Sequence, residues 1–422
     1  MRVIKTFFAL VVTAGVLAGS LWAQDIRAPE PARLAALALP FGQRADWRQW
    51  DSFLTHIVKV LPLEFGADQR EQVADVFLDA RHQLVQALSS GSSDPVPRLL
   101  IDTWARLSPL LKQWIPSLSQ QNASRFSSFV TAMEAMTSLT AIGQQLGFVR
   151  ITPETLRGAA GFLGKTDVDP LAYNLDIDAD LRTLLGFTAT LPTPRPSRLL
   201  EQGRFPAPLG SRASILWRIF WDPRGAHAAE ADYSRLNEWV PDDRELEDYL
   251  EQVRDLLEET HRNVAGESNL AAEFRELFRQ ILLATAWQES CWRQFVKKGQ
   301  KLAPLSSVTG DVGLMQVNRH VWRGLYDLKG LAGDIEYNGH AGAEILLRYL
   351  TRYALRKNEH KQPGGQLARA TYAVYNGGPS HLMRYRDKDT NPNLKTVDDA
   401  FWQKFQAVSS GQELAVKSCY GL

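Results

Sequence analysis

Several kinds of chemistry are missing from this 422-residue chain. Its eight histidines form no pair at metal-ligand spacing and no His-Glu-x-x-His occurs, which removes the common zinc hydrolases. A serine hydrolase would carry Gly-x-Ser-x-Gly, and that is absent too. Net charge is also lacking: 48 basic and 47 acidic side chains nearly cancel, so no global field draws the protein to nucleic acid or an acidic membrane surface. No internal repeat or low-complexity tract stands out. Cysteine is scarce, with only Cys291 and Cys419. In an oxidising compartment such a pair can form a disulfide, tying the C-terminal tail to the segment around Glu289; the alternative is two buried thiols that never meet.

Long hydrophobic runs are lacking as well. The clearest covers residues 7–17, too short for a comfortable span of about 20 residues. Arg2 and Lys5 precede it, and small residues and Ala23 follow, which is the form of a secretory signal. The expectation is a signal peptide over 1–23, cut near Ala23, and a soluble periplasmic or secreted protein with no membrane span after cleavage. No cysteine lies near the cut to accept a lipid. Leu21 is bulky for its place, which leaves an uncleaved anchor as the alternative.

What remains is ordinary soluble protein, 45% hydrophobic and 23% charged, somewhat rich in tryptophan. At about 150 residues per domain, the length implies two or three units, and two are expected. From about residue 34 to 187 apolar residues recur at three and four spacing, most clearly over 47–61, 71–88 and 98–115, with no strand alternation. This predicts an all-helical N-terminal domain over 24–195. The stretch 190–212 carries five prolines, each removing a donor and fixing the backbone, so a linker is placed at 196–212. A second domain follows over 213–422, with an acidic helix over 242–264.

Asp176, Asp178 and Asp180 occupy the first, third and fifth places of a calcium loop. Leu181 and Phe187 stand where that loop needs its glycine and its bidentate glutamate, so acidic residues opening a helix are the better account.

Residues 271–292 predict one helix whose apolar stripe includes Phe278, Leu282 and Thr285. Four residues further on, the stripe reaches Glu289. Its carboxyl is therefore expected to face the buried side, where lost solvation and the negative end of the helix dipole both raise its pKa. A proton donor near neutrality needs about 6 to 7 against about 4.3 unperturbed. On the helix alone, a glutamate fraying at a helix end remains the plainer account.

The segments downstream change that balance. Residues 307–322 suggest a glycine-rich turn entering a helix, 336–350 a second helix with small residues on one side, and 368–380 a third that stops at Asn376, Gly377, Gly378 and Pro379. Tyr375 would sit, like Glu289, at a helix C-terminus. This order resembles the catalytic domain of lytic transglycosylases and goose-type lysozymes. The matching residues are Glu289-Ser290, then Ser307, Gly310 and Gly313-Leu314-Met315-Gln316, then Asn338 and Gly342, then Ala373, Tyr375, Asn376 and Gly378. The resemblance covers roughly 271–385, about a quarter of the chain. Departures are a basic insertion, Lys-Lys-Gly-Gln-Lys at 297–301, and Val374 and Gly377 where the family more often has alanine.

The resemblance implies a mainly α protein whose second domain is a lysozyme-like catalytic domain acting on peptidoglycan glycan strands. Glu289 would be the sole catalytic acid/base. Ser307 and Tyr375 would orient it or the substrate, Met315 and Gln316 would line the cleft around an N-acetyl group, and Asn376 would shape the wall beside Tyr375. Met315 as core filling and Asn376 as a plain helix cap are the alternatives. The implied reaction cleaves between N-acetylmuramic acid and N-acetylglucosamine and leaves a 1,6-anhydro end, with no cofactor and no metal. Two rivals are a muramidase using Asp311 to activate water and a non-catalytic peptidoglycan-binding protein. The N-terminal helices could be a spacer, a docking surface for cell-wall machinery, or a cap that lengthens the groove.

Overall fold

Asp46 starts the first helix. Its carboxylate accepts the Gln49 N–H at 2.9 Å while the Gln49 side chain accepts the Asp46 N–H at 3.0 Å, a capping box that satisfies two otherwise free donors. Helix α1 follows over Trp47–Val60 and α2 over Ala67–Ser89. Then come α3 (Val96–Trp114), α4 (Gln120–Leu146), α5 (Pro153–Gly161) and α6 (Ala179–Leu184). The computed structural model describes residues 44–61, 65–92, 94–146, 151–164, 168–188, 190–195, 232–362 and 366–421. The expected signal peptide over 1–23 and the expected linker over 196–212 lie outside the described residues.

The three clearest periodic stretches became α1, α2 and α3 because their apolar stripes find each other: Phe53, Ile57, Phe77, Leu84, Leu100 and Leu107 are all buried. Asp178 opens α6, accepting the Leu181 N–H at 3.0 Å and pairing with Lys59 at 2.7 Å. That is the helix-opening role its sequence suggested.

Beyond residue 232, α7 (Leu246–Gly266) and α8 (Ala272–Ser290) lead into two small hairpins. Strands β1 (Phe295–Lys298) and β2 (Lys301–Pro304) pair antiparallel, with the basic insertion forming the hairpin tip around Gly299. Strands β3 (Asp311–Val312) and β4 (Val317–Asn318) also pair antiparallel, Asp311 opposite Asn318 and Val312 opposite Val317. The expected helix within 307–322 is therefore absent. Positive φ at Gly310 (97°), Gly313 (76°) and Gln316 (47°) turns the chain back on itself too often for a helix to propagate. Helices α9 (Leu328–Gly333), α10 (Ile335–Tyr349), α11 (Gln366–Gly377) and α12 (Pro392–Ser409) complete the fold.

Residues on both sides of the expected boundary share one hydrophobic cluster, within a unit spanning Arg44–Leu422. Buried ions stitch it together. Arg81 on α2 bonds Asp51 at 2.8 Å and donates to the carbonyls of Val321 (2.9 Å) and Arg323 (2.7 Å), and Arg323 itself bonds Asp51 at 2.5 Å. Arg182 on α6 pairs with Glu344 on α10 at 3.1 Å. Removing one partner of such a pair strands a buried charge and costs about 3–5 kcal/mol.

Candidate functional site

Glu289 is the penultimate residue of α8, one turn beyond the buried Thr285 and two beyond Ile281 and Leu282. The helix stops abruptly: Cys291 (φ 53°) and Trp292 (φ 60°) are both left-handed, a conformation costing about 1–3 kcal/mol for each non-glycine residue. The surroundings hold them there. Cys291 is bonded to Cys419, and Tyr420 donates to the Cys291 carbonyl at 2.9 Å. Trp292 is fully buried, its indole N–H donating to the Leu283 carbonyl at 3.1 Å and its carbonyl accepting Tyr249 at 2.9 Å. The carboxyl one turn upstream is aimed by this fixed stop.

Glu289 keeps part of its surface open to a cavity of about 520 Å³ and is enclosed elsewhere. The Tyr372 hydroxyl donates to its Oε1 at 2.9 Å, and the Tyr372 ring is stacked on Phe401 with centroids 4.1 Å apart. Burial pushes the Glu289 carboxyl up to about 7; the Tyr372 hydrogen bond opposes the rise, the negative charge of Asp311 adds to it, and Arg384 and Asn376 oppose it. Such a carboxyl can give a proton and take one back near neutrality.

Across the cavity, the turn of residues 313–316 is pinned from beneath. Ser290 donates to the Leu314 carbonyl at 2.6 Å, Gln294 accepts the Leu314 N–H at 2.7 Å, and the fully buried Asn338 accepts the Met315 N–H at 2.8 Å. Two glycines are demanded by these contacts. A Cβ on Gly313, already at positive φ, would strike the side chains of Gln294 and Asn338; one on Gly342 would strike Met315. Met315 therefore packs into the core against α10, fully buried, and does not line the cleft, which corrects the cleft-lining expectation for this residue. Its contribution to the site is its carbonyl, which accepts the Tyr375 hydroxyl at 2.6 Å.

Gln316, Tyr375 and Asn376 do line the cavity with Glu289. Asn376 accepts from Arg384 at 3.1 Å, and Arg384 is clamped by Asp398 at 2.6 and 3.0 Å. Ser307 is bonded to neither Glu289 nor Tyr375: its hydroxyl donates to Asp311 Oδ2 at 2.5 Å. Thr309 also donates to Asp311 Oδ2, and Asn318 donates to Oδ1 at 2.8 Å. Asp311 is thus held in the hairpin by three side-chain donors.

Tyr372 was not singled out in the sequence, although it lies three residues before Tyr375 and so on the same helix face. The second omission is α2. His82, Val85, Gln86, Ser89 and Ser90, at helical spacing on one face, form a wall of the same cavity. A larger cavity of about 900 Å³ lies away from Glu289, between α1 and the 168–178 loop. Around it Lys59 pairs with Asp178, Arg81 and Arg323 share Asp51, and Arg352 lies 3.8 Å from Glu71. Among the described residues no group of three or more His, Cys, Asp or Glu is placed to hold a metal ion, and no helix is long and apolar enough to cross a membrane.

Comparison with known proteins places this geometry. Residues 268–397 match the family model of the Transglycosylase SLT domain, a segment containing Glu289, Ser307, Met315, Gln316, Tyr372, Tyr375 and Asn376. No curated protein and no solved structure matches the chain. Helices α1 to α6 and Cys419 fall outside the matched segment. The match supports transglycosylase activity on peptidoglycan in general. Over residues 268–397, then, the chain carries a lysozyme-like Transglycosylase SLT domain.

Proposed function

We propose that the protein is a lytic transglycosylase that cleaves the bond between N-acetylmuramic acid and N-acetylglucosamine in peptidoglycan, with Glu289 as its single acid/base. The observation carrying this is one carboxyl raised to about 7 facing a cavity in which the second carboxylate is already engaged by Ser307, Thr309 and Asn318. Glu289 protonates the glycosidic oxygen as the bond to the muramic acid C1 breaks, and the N-acetyl group of that sugar stabilises the positive charge. The sugar's own 6-hydroxyl then attacks C1 and passes its proton to the ionised Glu289, closing the 1,6-anhydro ring. An intramolecular nucleophile needs no second carboxylate to activate water and gains a large entropic advantage over it.

Tyr372 orients Glu289, while Tyr375, tied to the Met315 carbonyl, holds the 313–316 turn against α11 so that Gln316 and Asn376 meet the sugar. The apolar run at 7–17 behind two basic residues supports export to the periplasm, where such a substrate lies. The test is digestion of purified sacculi by the wild type and Glu289→Gln, with released ends identified by mass. Anhydro ends that vanish in the variant are expected. Reducing ends would instead favour a muramidase using Asp311, and no release by folded protein would favour a binding role.

A further inference from the structure

We propose that α2 closes one end of the glycan cleft, so that strands are engaged from a terminus, with Gln86 and Ser89 meeting the last sugar. This rests on the glycan-binding reading of the Glu289 cavity. The argument begins with what α2 touches. Toward the hairpin side, Arg81 donates to the carbonyls of Val321 and Arg323, beside Trp322, which lines the cavity. Toward the α11 side, Asp79 accepts the Ser380 N–H at 2.9 Å, and His82 sits so close to Gly378 that a Cβ there would meet its ring at 2.7 Å. His82 also lies 3.3 Å from the Tyr349 hydroxyl of α10. One rigid helix is therefore fastened to both flanks of the cavity that holds Glu289. A polymer cannot leave through a side that a packed helix bridges.

The face α2 turns to the cavity changes character along its length. His82 and Val85 are packed and contribute shape; burial lowers the His82 pKa to about 4, so this part of the wall carries no charge at neutrality. One turn later Gln86, Ser89 and Ser90 are exposed. Ser89 donates back to the Val85 carbonyl at 2.7 Å, which leaves its oxygen free to accept. Gln86 is exposed on this face, and a side-chain amide can both donate and accept. Neutral donors and acceptors of this kind suit the hydroxyl and N-acetyl groups of an uncharged sugar face. A cavity of about 520 Å³ is within the range of about 300–1,000 Å³ typical of sites for small ligands, room enough for the end of a strand.

The test uses the full-length Glu289→Gln protein, which holds strands without cutting them. Binding is measured to glycan strands freed of stem peptides, either unmodified or carrying a bulky group on each terminal sugar. End capture predicts that blocked strands bind at least about tenfold more weakly, and that Gln86→Trp, which fills the closed end from an exposed position, weakens unblocked strands by a similar factor. Equal binding of blocked and unblocked strands overturns the inference and leaves the glycan reading standing. Binding of neither by folded protein removes the glycan reading and the inference with it.

Discussion

Glu289 and Asp311 look into one cavity from two differently built walls. Glu289 is fixed by covalent and apolar structure: a helix stop locked by a disulfide and a buried tryptophan, with Tyr372 donating to its Oε1. Asp311 is fixed by hydrogen bonds from Ser307, Thr309 and Asn318 in a short hairpin. Dry surroundings favour a neutral carboxyl, which suits Glu289 to proton donation, while the Asp311 side chain is engaged by the donors of its own hairpin. Asp311 also acts on Glu289 at a distance, since its negative charge helps keep the Glu289 proton in place.

The sharpest way to break this comparison is to neutralise each side in turn. Glu289→Gln is expected to abolish sacculus lysis, a loss of at least 10²–10⁴-fold, the usual contribution of a positioned acid/base. Asp311→Asn should retain activity within about tenfold and move the alkaline limb of the pH–rate profile to lower pH, because the charge that raises the Glu289 pKa is gone. Loss in the Asp311 variant equal to that in the Glu289 variant would make the two walls chemical equals and favour the hydrolytic alternative.

Tyr372→Phe probes the bond that opposes the rise. Its removal should shift the alkaline limb upward by about one unit and lower kcat by up to about 10²-fold through misplacement of the carboxyl. The two limb shifts, down for Asp311→Asn and up for Tyr372→Phe, are read on the same profile. A smaller effect is expected from the disulfide. Cys419→Ser should cost about 2–4 kcal/mol in denaturant unfolding and lower lysis, since the helix stop beside Glu289 loses its covalent tie.

Stability against pH gives the mildest contrast. Because the folded Glu289 pKa lies near 7, above its ordinary value, folded protein retains a proton that unfolded chain releases between about pH 4.5 and 7. Stability therefore falls as pH rises through that window and is level above it. Glu289→Gln should be more stable than wild type by about 1–3 kcal/mol above pH 7 and show no advantage below about 4.5. Asp75, raised to about 6, titrates within the same window in both proteins and cancels in the difference.

Much of the Glu289 wall was legible in the sequence. The stripe Phe278, Leu282, Thr285 leads to Glu289 by local periodicity alone, and a helix of 19 residues carries enough turns to state its phase. The Asp311 wall was not legible as structure: β3 and β4 are two residues each, too short for any alternation to register, and a helix was expected there. Met315 shows the same limit, since its side chain goes to Gly342 and only its backbone oxygen reaches Tyr375. The α2 wall was hidden for another reason. Arg81 lies 240 residues from Val321 in the chain, and no local pattern in an amphipathic helix announces a partner so distant.

The most direct measurement is titration of the Glu289 carboxyl carbon by NMR in the folded wild type, with Glu289→Gln identifying the resonance. The account predicts a midpoint near 7, moving down in Asp311→Asn and up in Tyr372→Phe. A midpoint near 4.5, unmoved by either change, would mean that the carboxyl is an ordinary solvated glutamate and would contradict its role as the acid.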